Sequence, residues 1–488
     1  MTRHQTTGQR FVSGYGAKLK DMRLGSRFAA MLSALSVALP SFIGATAALS
    51  PETAFAQSGR KLPLVRDAEA EDLLRSYAQP IFKVAGLGNT QIDIILVNDK
   101  AFNAFVPDSH RMFINLGVIL EAETPGEIIG VIAHESGHIA GRHLVRLREA
   151  AANAQIIAVI GMILGAGAAV AGGASGNSSA ISGGAAAALS SGNVGQRSML
   201  AYQRGEEAAA DRAALKYLEA THQSGKGMLK TFERFAEQQV FSARFVDPYA
   251  QSHPMANERY RSLATDVMKS KYYDTPAPAA LQHRHDMVRA KILAFSSHPN
   301  EVLRRYPRSD KSLPAQYARA IASMKRDGRA AIKEIDALIR QEPSNPYFQE
   351  LKGQALLESG NPKAAIEPFR RALALKPGEG QFQIWLGYAM VSSNDKSLLP
   401  EAETILKQGI RTDPNSGIAY SQLAIAHARQ GETAEADLAT AKGMMMAGDV
   451  DAARRYAARA QKNLKRGTPA WLQADDIVSY KPPKLNGR

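Results

Sequence analysis

A chain of 488 residues with 45% apolar content is long enough for two or three domains with real cores. Its 11 histidines come with no cysteine, which excludes a cysteine-ligated zinc site, a disulfide scaffold, a thiol nucleophile and a lipid-acceptor site. The net charge of +14 is mild for this length, permits peripheral contact with an anionic membrane surface, and is accompanied by no nucleic-acid-binding module.

Residues 1–56 read as an export signal. Lys18, Lys20, Arg23 and Arg27 precede an apolar stretch from Phe28 to Leu49, and Ala54-Phe55-Ala56 supplies an A-x-A cleavage site. The mature protein is therefore expected to be exported and periplasmic, either soluble or peripheral to the membrane. Asp67 to Ala85 reads as a helix with Leu73, Leu74, Tyr77 and Ile81 on one side. Gln91 to Asn98 is rich in β-branched residues and reads as a strand; Asn103 to Val106 and Arg111 to Asn115 are two further extended pieces. Arg111, Met112, Phe113, Ile114 and Asn115 are expected to form an edge strand on which an extended substrate pairs.

Next comes Thr124-Pro125-Gly126-Glu127, a capping box with proline at the first helical position. The apolar run Ile128, Ile129, Val131 and Ile132 follows, and then His134-Glu135-Ser136-Gly137-His138. Residues four apart share a helix face, so two imidazoles at this spacing can ligate one zinc ion, and Glu135 has the place of the general base. A third ligand is needed. His143 lies five residues after His138, one short of the spacing at which a third histidine serves, so it points off the ligand face.

Ile156 to Gly173 is uncharged but mostly alanine and glycine, and a Gly/Ala-rich insert runs over 161–196. Beyond it Arg204, Glu207 and Asp211 lie in a strong helix-forming run. Glu207 and Asp211 share a face, so one carboxylate can bind zinc while the other fixes a ligand histidine. Past residue 310 the pattern becomes paired helices with Pro343, Pro377 and Pro414 closing successive units. The unit with Gly353, Leu356, Gly360, Ala365, Phe369 and Ala372 bears the tetratricopeptide signature, and such repeats make concave surfaces that hold protein segments.

H-E-x-x-H followed by R-x-x-E-x-x-x-D resembles the gluzincin metallopeptidases of the HtpX and CaaX prenyl protease type. The stretches Val97 to Phe105, Ala133 to Glu135 and Arg142-His143, and Ser252-His253-Pro254 with Arg259, are similar to the exported, repeat-bearing BepA-like branch. The resemblance implies one Zn2+ per chain held by His134, His138 and Glu207, with Asp211 as the supporting carboxylate. It makes His253 a candidate regulatory ligand. His143 and Arg259 are candidates for oxyanion or substrate contact. The expected architecture is an α+β zinc metalloprotease domain at 57–300, an all-α tetratricopeptide solenoid at 310–465 and a tail at 466–488. The expected function is peptide-bond hydrolysis in misfolded or stalled envelope proteins, with outer-membrane assembly machinery as a partner by resemblance. The alternative is a chaperone or scaffold that binds clients through its repeats.

Overall fold

The structure is a computed structural model that describes residues 62–147, 149–150, 152, 202–241 and 256–482. The export-signal stretch, the Gly/Ala-rich insert and His253 lie outside the described residues. Strands β1 (Leu64–Val65), β2 (Asp93–Val97), β3 (Ala104–Phe105) and β4 (Arg111–Asn115) form one sheet in the order β1-β2-β4-β3. β2 and β4 are parallel, and the outer pairs are antiparallel.

That order corrects one expectation. Arg111, Met112, Phe113, Ile114 and Asn115 are not an edge strand, because β2 pairs along one side and β3 folds back onto the other. The reversal follows from the turn at 106–110, where the Asp108 carboxylate accepts from the His110 amide at 2.9 Å and from Arg111 Nε at 2.8 Å. The sheet edge on this side is β3.

Helix α1 (Ala68–Val84) starts at Asp67, whose carboxylate accepts from the Ala70 amide at 2.8 Å. Its buried Leu73, Leu74, Tyr77 and Ile81 join one core with Ile114 of β4 and with Ile128 and Ile132 of a later helix. After the short α2 (Leu116–Glu121), that later helix is α3 (Pro125–Ala140), which carries the histidine motif. The Thr124 amide donates to Glu127 at 3.2 Å, as a capping box requires, and the buried Glu127 carboxylate is paired with Arg234 at 2.6 Å. Helix α4 spans 202–220, followed by α5 (Lys226–Phe241) and α6 (Ala256–Lys269).

Two glycines let these helices close on α3. A Cβ on Gly130 would stand 3.0 Å from the Met228 backbone, and one on Gly137 would stand 2.9 Å from the Ala210 carbonyl oxygen. Gly137 is thus the point at which α4 comes close enough to bring its carboxylates to the histidines.

Helix α7 (Ala279–Ser296) is shared. Val288 and Ile292 belong to the core just described, while Met287, Ala290 and Ala294 belong to the core of the helical repeats. After α8 (Pro299–Arg305), five helix pairs follow: α9 (Leu313–Met324) with α10 (Gly328–Gln341), α11 (Pro346–Glu358) with α12 (Pro362–Leu375), α13 (Gly380–Ser392) with α14 (Leu399–Thr412), α15 (Gly417–Gln430) with α16 (Thr433–Ala447), and α17 (Val450–Asn463) with α18 (Pro469–Ser479). Within pairs, Gly353 faces the Phe369 ring and Gly387 faces Leu406 at distances no side chain would fit. The expected tail at 466–488 needs correction, since α18 lies inside it. The Thr468 hydroxyl caps this helix by accepting from the Trp471 amide, and Ala474 and Ile477 bury in one cluster with Ala457 and Ala460 of α17.

The first turn of α1 inserts into the repeats. The buried Lys291 of α7 lies 2.9 Å from Asp67, 3.4 Å from Glu69 and 3.5 Å from Glu350. The Tyr317 hydroxyl donates to Glu69 at 2.9 Å, and Asp72 receives Lys376 at 2.7 Å and Arg284 at 3.0 Å. Such a network holds the two parts in one arrangement, because leaving one member of a buried pair alone costs about 3–5 kcal/mol.

Candidate metal centre

The sequence spaces His134 and His138 one helical turn apart on α3, and their Nε2 atoms lie 3.0 Å from each other. The Glu207 carboxylate of α4 completes a triangle, with Oε2 3.4 Å from His134 Nε2 and Oε1 3.3 Å from His138 Nε2. Two donors that each sit 2.0–2.1 Å from a tetrahedral zinc stand about 3.3 Å apart, so the triangle has the dimensions of three such ligands. These three residues form a group whose donor atoms all fall within 4.8 Å of one another. Glu135 points from the same helix and is almost wholly buried.

Behind His134, Nδ1 lies 2.9 Å from Asp211 Oδ1. With a metal bound, a carboxylate there would hold the proton on Nδ1 and leave the Nε2 lone pair for the ion. Burial and Arg259 push the His134 imidazolium down, but Asp211 and Glu207 outweigh them and raise it to about 9. The pocket is therefore set to receive positive charge at this point. Burial would raise the Asp211 carboxyl, yet Arg259 and His134 hold it below the usual range.

Arg259 and His143 do not take the places expected of oxyanion or substrate contacts. The buried Arg259 donates to Asp211 from Nε at 2.7 Å and from Nη2 at 2.5 Å, and its Nη1 lies 3.0 Å from Glu207. Its guanidinium also covers the Phe232 ring at 4.4 Å. It is consumed in holding the two carboxylates of α4. His143 is buried too: Nδ1 lies 2.9 Å from His138 Nδ1 and Nε2 lies 3.0 Å from Glu206. Burial lowers its imidazole from the ordinary value, with Glu206 pulling the other way. Glu206 was not singled out by the sequence. Its only signal there is its place beside Glu207, and the spacing to Asp211 selects Glu207 over it.

Residues 67–267 match peptidase family M48, and residues 324–380 match a tetratricopeptide repeat. The chain carries an M48 peptidase domain. The match over 67–267 and the relatives named next indicate a metallopeptidase. The Beta-barrel assembly-enhancing protease of Yersinia pestis is 23% identical to it over 441 residues, covering 87% of each chain. The protein of the same name from Escherichia coli K12 is 22% identical over 420 residues, covering 83% of this chain and 82% of that one. Among solved structures, the TPR protein YrrB is 19% identical, covers 37% of this chain and 91% of that one, and gives a TM-score of 0.30. The matched stretch runs from α1 into α6 and includes every residue of the triangle. Among the described residues no helix is long and apolar enough to cross a membrane.

Proposed function

We propose that this chain is a zinc-dependent metalloendopeptidase of the cell envelope that cuts misfolded or stalled envelope proteins. The observation that carries this reading is the triangle of His134 Nε2, His138 Nε2 and the Glu207 carboxylate at tetrahedral-edge distances. In this reading those three residues hold the ion. When bound, zinc supplies a Lewis acid for the scissile carbonyl and lowers the pKa of water. Glu135 takes the proton of the attacking water and returns it to the leaving amine nitrogen. Asp211 orients His134, and Arg259 keeps Asp211 ionised and in place. An extended substrate pairs along β3, the sheet edge that contacts α3.

In the same reading the repeats, extended to Ser479, bind client segments or outer-membrane assembly machinery. The name of the relatives, Beta-barrel assembly-enhancing protease, supports that assignment, and the signal-like first 56 residues support export to the periplasm. The test is zinc content and cleavage of unfolded casein by the mature chain, beside Glu135→Gln and Glu207→Gln. The reading expects zinc in wild type and Glu135→Gln only, and cutting in wild type only. Cutting by Glu135→Gln equal to wild type would refute it. Client binding without cleavage in wild type would favour the chaperone alternative.

A further inference from the structure

His134 and His138 are supported from behind by different chemistry. His134 has a carboxylate on its Nδ1, whereas His138 has a second imidazole, with Nδ1 to Nδ1 at 2.9 Å. That pairing fixes the protons. If the Nε2 of His138 offers its lone pair to the centre, its proton sits on Nδ1 and is donated to His143 Nδ1. His143 must then carry its own proton on Nε2, which faces Glu206 at 3.0 Å. Glu206 is in turn held by Arg146 at 2.7 Å.

The backbone is shaped to allow this. α3 ends at Ala140, and Arg142 takes a left-handed conformation with φ of 53°. A side chain there rarely adopts that region, and doing so costs on the order of 1 kcal/mol. The turn folds the His143 ring back over the helix end. A Cβ on Gly141 would stand 2.1 Å from His143 Nε2, so glycine is what leaves room for the ring. His143 is 5% exposed.

We propose that His143 and Glu206 are positioning residues for the metal: a chain His138 Nδ1–H to His143 Nδ1, then His143 Nε2–H to Glu206, which fixes the tautomer and ring plane of His138. Adjacent glutamates on α4 thereby divide the work, Glu207 on the ion and Glu206 on the support of a histidine ligand. This rests on His134, His138 and Glu207 being the ligand set.

The test is zinc affinity of the full chain, measured against a chromophoric chelator, with the visible spectrum of the cobalt-substituted protein as a second readout. His143→Leu is expected to weaken zinc about 10–100-fold and to shift the cobalt bands. His143→Gln is expected to recover most of the affinity, because its amide oxygen accepts from His138 and its NH2 donates to Glu206. Glu206→Ala, near the surface, is expected to weaken zinc by a smaller factor and to add little in the His143→Leu background. Unchanged affinity and spectrum in His143→Leu would overturn the proposal. So would equal losses in the Leu and Gln variants, which would mean that the ring only fills space. Wild-type protein that takes up no zinc would instead remove the ligand set itself.

Discussion

The metal-facing cluster and the Lys291 cluster are both buried and polar, yet they are balanced differently. Around Lys291 the protein supplies its own cation: Asp67, Glu69 and Glu350 gather on one ammonium. Burial pulls that ammonium down, but the surrounding acidic groups outweigh burial and keep it charged. At His134, His138 and Glu207 the potential ligand atoms face one another across 3.0 to 3.4 Å, and Asp211 and His143 back the two imidazoles on their far nitrogens. The first cluster has a cation of the fold at its centre and ties α1 to the repeats. In the proposed reading the second is completed by a bound metal ion. Burial of charge alone does not mark a site; the convergence of three metal-ligating side chains on one point does.

The largest expected effect separates chemistry from architecture. Glu135→Gln should cut peptide hydrolysis about 10²–10⁴-fold while zinc content and thermal stability stay at wild-type levels. A matching fall in stability would show that Glu135 belongs to the fold and blur the contrast. Lys291→Met should do the reverse. Leaving the carboxylates around it without their cation should cost about 3–5 kcal/mol in urea unfolding, with zinc stoichiometry retained. Loss of zinc in that variant would mean that the two clusters are not independent.

Gly137→Ala should act on the metal side alone. Its Cβ meets the Ala210 backbone, so α4 must back away, at about 1–3 kcal/mol of overpacking and with weaker zinc binding. The smallest effect is at Asp72. Burial would raise this carboxyl, but Lys376, Arg284 and Tyr347 hold it below the usual range. A lowered folded value means its contribution is present above the unfolded carboxylate pKa of about 4 and is lost as pH falls through the folded value. Asp72→Asn should therefore flatten the acid limb of a stability–pH curve measured by urea unfolding below about pH 4.

Much of this arrangement was legible from residues. The cap at Thr124, the apolar run from Ile128 and the proline-punctuated repeats each carry a local signal, and helices form where those signals fall. What failed was what depends on neighbours. Arg111 to Asn115 reads as a strand, but nothing in its sequence says that β2 and β3 lie on either side. β1 is two residues long, too short for any period. The α18 helix is short, and only Ala474 and Ile477 of its residues are buried, too few to mark a period. At the site, spacing suggested that His143 leaves the ligand face. The left-handed turn at Arg142 is what places it behind His138, and no periodic rule anticipates that turn.

The central claim is that two imidazoles and one carboxylate of this chain hold one zinc ion. X-ray absorption at the zinc edge of the full-length protein tests it most directly. The account predicts one zinc per chain with two nitrogen ligands and carboxylate oxygen at about 2.0–2.2 Å, and loss of that signal in Glu207→Gln. An unchanged spectrum in Glu207→Gln, or zinc surrounded only by water and carboxylates, would contradict it.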